Sequence, residues 1–172
     1  MKRLSKVLIL VAAVIIVSGF ILLDVFGKPE APVQPIEYNH WQHVTKEEGP
    51  QLECAFCHEH ADKSAHATIP NISTCMVCHE SIATESSEVQ KLASIAARNE
   101  QPAWVRVYWF KREANAYFTH KPHIRAGISC QECHGDIGNM RRVRREVNQT
   151  MGWCIECHAQ KQVSNDCYVC HR

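Results

Sequence analysis

From residue 130 to residue 171 the chain reads CQECHGDIGNMRRVRREVNQTMGWCIECHAQKQVSNDCYVCH. The phrase Cys-x-x-Cys-His falls in it three times, at Cys130/Cys133/His134, Cys154/Cys157/His158 and Cys167/Cys170/His171, and twice more upstream, at Cys54/Cys57/His58 and Cys75/Cys78/His79. This is the c-type haem attachment signature. Two thiols two residues apart reach the two vinyl carbons of one porphyrin as thioethers, and the following His turns its imidazole to the iron as proximal ligand. The expected cofactors are therefore five covalent c-type haems, and so dense a redox loading points to movement of electrons.

Zinc is the first competitor, because paired Cys-x-x-Cys motifs also make tetrahedral thiolate sites. Zinc does not require a His after the second Cys. With 11 His in 172 residues, a His at that position five times out of five is on the order of a one-in-a-million coincidence for random placement. Thioredoxin-like chemistry needs one motif on a βαβ scaffold, and nothing here suggests one. A disulfide framework fails by counting, since the ten Cys are used up by the motifs.

The chain opens MKRLSK and then runs VLILVAAVIIVSGFILL from Val7 to Leu23 before Asp24. The charge order matches an export signal. Counted through Phe26, the apolar run is about 20 residues, enough to cross a bilayer as a helix. No small-x-small cleavage site follows closely, which favours a retained anchor over residues 1–27 against a cleaved leader. The positive-inside rule then keeps Lys2, Arg3 and Lys6 in the cytoplasm and puts the haem domain on the periplasmic side of the inner membrane. That compartment leaves no role for nucleic acid.

Residues 28–38 begin KPEAPVQPIE, a stiff Pro-rich spacer. The remainder gives each haem fewer than about 30 residues, so porphyrin replaces side chains as the core. The expected fold is mostly irregular with short α-helices, many begun by the attachment motifs: class III-like multihaem cytochrome c modules wrapped around five haems. His40-Trp41-Gln42-His43 precedes two motifs and His120-Lys121-Pro122-His123 precedes three, 80 residues later. This spacing suggests a duplication, with a dihaem module over 39–100 and a trihaem module over 101–172. Val89, Leu92, Ala93 and Ala96 lie at helical spacing within Glu85–Glu100, predicting a connecting helix. Trp104 to Phe110 alternates partly and reads as a short strand or as an aromatic pad on a porphyrin face.

Five irons need five distal ligands, and the histidines outside the motifs are His40, His43, His60, His66, His120 and His123. The two His-x-x-His units let neighbouring imidazoles point at different haems, so His40, His43, His120 and His123 are expected as distal ligands. The fifth stays open among His66, Met140, Met151 and His60. A thioether ligates haem iron and raises its potential; Met as core filler is the plain alternative. With most irons six-coordinate, no catalytic residue is assigned and outer-sphere transfer is expected.

Four phrases carry a family resemblance: Ile69-Pro70 leading to Cys75-Met76-Val77-Cys78-His79; Tyr117-Phe118-Thr119-His120-Lys121-Pro122-His123; Cys133-His134-Gly135-Asp136-Ile137 followed by Met140; and Met151-Gly152-Trp153-Cys154. By them the chain resembles the pentahaem, membrane-anchored cytochrome subunit of alternative complex III, a quinol oxidoreductase. The resemblance implies electrons received from an iron-sulfur subunit, fed by quinol oxidation at polytopic quinol-binding subunits. It also implies delivery to a monohaem cytochrome or another soluble electron acceptor. Members recurrently have the Met of the His-Gly phrase, which favours Met140, and do not reliably have His at the places of His60 and His66.

The formal charge of +1 omits ten haem propionates, which would make the loaded domain acidic. Arg141, Arg142, Arg144 and Arg145 then read as a solvated strip, as partners of propionates, or as a docking surface for an acidic partner. Two functions compete with a relay subunit. A stand-alone quinol dehydrogenase cytochrome feeding a periplasmic reductase needs a quinol pocket, and a terminal reductase needs an open haem.

Overall fold

The computed structural model describes residues 6, 9–19 and 29–171. The chain divides into two compact units, Met1–Glu30 and Ala31–Arg172. In the first, residues 9–19 are helical. Among the described residues no helix is long and apolar enough to cross a membrane; the expected span from Val7 to Phe26 lies partly outside them.

The second unit is a string of short helices joined by irregular chain: α1 His40–Val44, α2 Cys54–Cys57, α3 Ile72–His79, α4 Ser87–Ala97, α5 His120–Arg125, α6 Cys130–His134, α7 Met151–Gln160 and α8 Cys167–Cys170, with 3₁₀ turns at Arg112–Ala114 and Ile137–Asn139. The attachment motifs do start helices: α2, α6 and α8 begin on the first Cys, and α3 and α7 begin three residues before it. Helices this short are marginal alone and lean on their caps. The Asn39 side chain accepts from the Gln42 N–H at 3.2 Å, Thr150 from Trp153 at 3.2 Å and Asp166 from Tyr168 at 3.0 Å, while Ser129 and Glu132 close a capping box on α6. Pro122 sits in the first turn of α5, where its missing N–H costs no helical bond.

The predicted connecting helix is α4, ended at Ala97 well before Pro102. The strand reading of 104–110 is not realised: among the described residues there is no strand, only one isolated bridge, Ala116 to His171. The reason is local. The Val105 N–H and C=O are both taken by the Gln34 side-chain amide, at 2.9 and 2.8 Å, so no neighbouring backbone is needed.

Side-chain burial is sparse. Among the described residues the buried apolar set is Ile36, Ile72, Val89, Leu92 and Met140, and no side chain falls below 2 % exposure. Ile36, Ile72 and Leu92 form one cluster, with Cys75, Met76, Ile95, Ala96 and Trp104 packed around it. It joins α3 to α4 and pins the lead-in segment to the second attachment helix.

Candidate haem-binding site

Each attachment helix presents its two thiols, and all ten cysteines are free. Burial raises the pKa of Cys54, Cys57, Cys75, Cys133 and Cys154, which keeps these thiols protonated. Among the described residues no group of three or more His, Cys, Asp or Glu is arranged to hold a metal ion. The histidines are arranged differently.

Seven of the nine expected ligand imidazoles have Nδ1 tied to a backbone carbonyl: His43 to Asn39 at 2.8 Å, His58 to Thr68 at 2.6 Å, His79 to Ile82 at 3.0 Å, His120 to Ala65 at 2.8 Å, His123 to Thr119 at 2.9 Å, His158 to Ser164 at 2.9 Å and His171 to Asn115 at 3.2 Å. A bond of this kind fixes the tautomer and the ring orientation, leaving Nε2 as the lone-pair donor. It is the outer support that metal-bound imidazoles ordinarily have.

The rings also face one another. His43 and His79 have centroids 6.0 Å apart, His120 and His134 6.2 Å with planes within 9°, and His123 and His158 6.1 Å. A metal–imidazole nitrogen bond is about 2 Å long and the centroid lies about 1 Å behind the nitrogen, so two imidazoles trans on one metal stand about 6 Å apart. The separation is the one that bis-imidazole ligation demands. His40 has His58 as its strongest charged neighbour. The pairing is therefore regular: α1 serves the first two motifs and α5 the third and fourth.

The duplication reaches further than the histidines. Tyr38, two residues before His40, stacks on His43 at 4.6 Å and meets His40 edge-on at 4.7 Å. Phe118, two residues before His120, lies 4.8 Å from His123 and edge-on to His120 at 4.9 Å. In both modules the residue between aromatic and His, Asn39 or Thr119, lends its carbonyl to the second His. The repeated unit is thus aromatic-x-His-x-x-His, a signal present in the sequence that the His count alone passes over. Burial raises the Tyr38 hydroxyl pKa, with Cys57 and Cys75 adding to it.

His134 is supported from behind. Tyr108 donates its hydroxyl to the His134 carbonyl at 3.0 Å and packs edge-on to the ring at 4.5 Å. The same hydroxyl accepts from the N–H groups of Glu146 and Val147 at 2.9 and 3.4 Å. The 104–110 segment is in this respect the aromatic pad, directed at a ligand. Gly135 follows at φ +72°, and a Cβ there would meet the Glu146 side chain at 2.6 Å, so this turn needs glycine.

The remaining expected ligands lie elsewhere. His60 and His66 are exposed and neither has a ring contact. Their loop instead braces the start of α5. The Ala65 carbonyl holds His120, and the Ser64 carbonyl accepts from the Lys121 N–H at 3.2 Å and from the Thr119 hydroxyl at 3.3 Å. Met140 is buried at 9 % exposure, and its carbonyl accepts from the Trp41 N–H at 3.1 Å, which places it against α1. Met151 is 64 % exposed at the start of α7. His171 has no facing imidazole among the described residues.

The arginines hold local contacts: Arg141 stacks on Trp41 at 4.8 Å, Arg142 pairs with Glu37, Arg144 lies 3.4 Å from Glu146, and Arg145 covers Tyr108 and Trp109 at 5.4 and 5.2 Å. These are contacts that join segments.

Burial lowers the His40 pKa to about 4, with His58 and then His43 adding to it, and lowers His134 to about 4, with His120 and then His58. Both imidazoles are neutral at physiological pH, the form that ligates metal. His40 Nδ1 and Arg144 Nε are buried without a hydrogen-bond partner; such atoms in native proteins call for a partner outside the chain. Neutral, oriented, face-to-face imidazoles beside paired thiols fit haem at the attachment sites.

Residues 116–172 match the family described as cytochrome c7 and related cytochrome c. The chain is also 26% identical over 166 residues, covering 81% of its length and 77% of the relative's, to a protein of Nitratidesulfovibrio vulgaris named menaquinone reductase, multiheme cytochrome c subunit. With the motifs and paired imidazoles, these matches identify the chain as a multihaem c-type cytochrome, cytochrome c7-like over residues 116–172, a likeness that implies covalently attached haem.

Proposed function

We propose that this chain is the electron-relay subunit of a membrane quinol-oxidising complex, holding five c-type haems and passing single electrons from an iron-sulfur subunit to a monohaem or other soluble acceptor. The observation that carries the relay reading is the set of facing, carbonyl-pinned imidazoles at 6.0, 6.2 and 6.1 Å. Haem so ligated supplies reversible one-electron exchange and offers no open position to a substrate. The chain's own contribution is to fix distance and potential. His43, His79, His120, His123, His134 and His158 hold their rings in place, while Tyr38, Phe118 and Tyr108 exclude water around them. His40 with His58 makes the fourth bis-imidazole site. His171 supplies the proximal ligand of the fifth, with Met140 as the distal ligand the family resemblance favours and His66 as the other expectation.

In this reading residues 1–27 anchor the chain in the cytoplasmic membrane, residues 28–38 space it, and the dihaem and trihaem modules stand on the periplasmic side. The partners are the iron-sulfur subunit and polytopic quinol-binding proteins of an assembly resembling alternative complex III.

A second reading reverses the flow, from a soluble donor toward menaquinone, and is favoured by the name of the Nitratidesulfovibrio relative. One experiment separates them. The native complex, purified through this chain, is given menaquinol under anaerobic conditions and haem reduction is followed at the α-band. Reduction by quinol, with iron-sulfur and polytopic proteins co-purifying, supports the first direction. Haem that stays oxidised with quinol, but passes electrons from a reduced soluble cytochrome to menaquinone, supports the second. Quinol-driven reduction by the isolated chain overturns the relay reading in favour of a stand-alone dehydrogenase.

A further inference from the structure

We propose that the five attachment sites form one unbranched row in the order Cys75–His79, Cys54–His58, Cys130–His134, Cys154–His158, Cys167–His171, so that the second site in the sequence, not the first, is one end. The inference rests on the reading that each site holds a haem, and adds which sites exchange electrons with one another.

Four junctions define the row. The second and first sites are joined by α1, whose His43 faces His79 while His40 neighbours His58; the thiols of Cys57 and Cys75 are neighbours as well. The first and third sites are joined by a hydrogen bond between the Cys54 and Cys130 thiols and by proximity of His58 to His134. The third and fourth are joined by α5, with His120 facing His134 and His123 facing His158, and by Cys133 lying near Cys157 and Cys154. The fourth and fifth are joined by Cys154 and Cys170. The outer two sites thus have one neighbour each, and the inner three have two.

The inversion has a cause in the chain path. Helix α4 packs on α3, and with Ile36 and Trp104 it closes the second site off in the cluster of Ile36, Ile72 and Leu92. The loop of residues 64–65 meanwhile bonds to the start of α5. The first site is left facing the second module. Because thioethers form at these thiols, thiols in contact bring porphyrin edges together, and electron tunnelling falls steeply with edge separation. Traffic between the modules crosses at Cys54–Cys130, and the Cys75–His79 and Cys167–His171 sites are the two ends at which partners connect.

The test is the haem-loaded protein in its native complex, imaged by cryo-electron microscopy, with the irons assigned to their cysteines. Nearest-neighbour irons in the order above support the row. Five haems in any other neighbour order overturn it and leave the relay reading standing, whereas a motif without haem overturns both. Electron paramagnetic resonance of the oxidised holoprotein gives an independent readout. In Cys54→Ala/Cys57→Ala the haem on His79 loses its only neighbour and shows an isolated, slowly relaxing low-spin signal. In Cys75→Ala/Cys78→Ala none of the four remaining haems does. An isolated signal in the second variant, or none in the first, overturns the order.

Discussion

Replacing Tyr108 by Phe removes one oxygen and keeps the ring. That oxygen makes two good hydrogen bonds, to the His134 carbonyl at 3.0 Å and from the Glu146 N–H at 2.9 Å, and a long one from Val147 at 3.4 Å. Each good bond contributes about 1 kcal/mol net, and the half-buried partners left behind recover water only in part, so the loss is about 2 kcal/mol. The edge-on contact with His134 at 4.5 Å and the Arg145 stack at 5.4 Å survive in Phe. With a urea slope of about 2 kcal/mol per molar, the unfolding midpoint of the holoprotein drops by about 1 M. Tyr108→Ala loses the ring contacts too and drops further. Haem content is unchanged in Tyr108→Phe, because no ligand or thiol is touched. A midpoint within about 0.2 M of the parent, or equal losses in Phe and Ala, would show that Tyr108 is not the tie between the third attachment site and residues 146–147.

Three further perturbations draw on the same geometry. His123→Ala removes the ring that faces His158 at 6.1 Å and gives one high-spin haem per chain by magnetic circular dichroism, with haem stoichiometry intact; His60→Ala and His66→Ala leave the spectrum of the holoprotein unchanged. Gly135→Ala places a methyl against the Glu146 side chain at a positive φ and costs roughly 1–3 kcal/mol, read as a fall in melting temperature by calorimetry. Leu92→Ala opens the cluster of Ile36, Ile72 and Leu92 and costs about 2–4 kcal/mol by the same measurement.

The attachment helices, the two His-x-x-His units and helix α4 are legible in the sequence because each rests on a spacing: two residues between thiols, two between paired histidines, three or four from Val89 to Leu92 to Ala96. The pairing of proximal with distal histidines is not legible, since it depends on how α1 and α5 are carried past the motifs by irregular chain. Nor are the groups that orient the imidazoles. Thr68, Ile82, Ala65, Ser164 and Asn115 act through backbone carbonyls, which every residue type possesses, so no side-chain identity marks them. His66 illustrates the difference: a His near a motif reads as a ligand, yet its ring is exposed, while the main chain of Ala65 beside it holds His120. Trp104 to Phe110 is ambiguous for the opposite reason. Alternation predicts which side chains share a face, but a strand also needs a partner, and the Gln34 amide satisfies Val105 instead.

The central proposal, that every Cys-x-x-Cys-His segment carries covalent haem, is tested most directly by intact-protein mass spectrometry of the chain purified from its native membrane, which needs no knowledge of partners or direction of flow. The expected result is a single species that keeps five haem masses after denaturation. A chain with its motifs intact that carries fewer, or that releases its haem on denaturation, contradicts it.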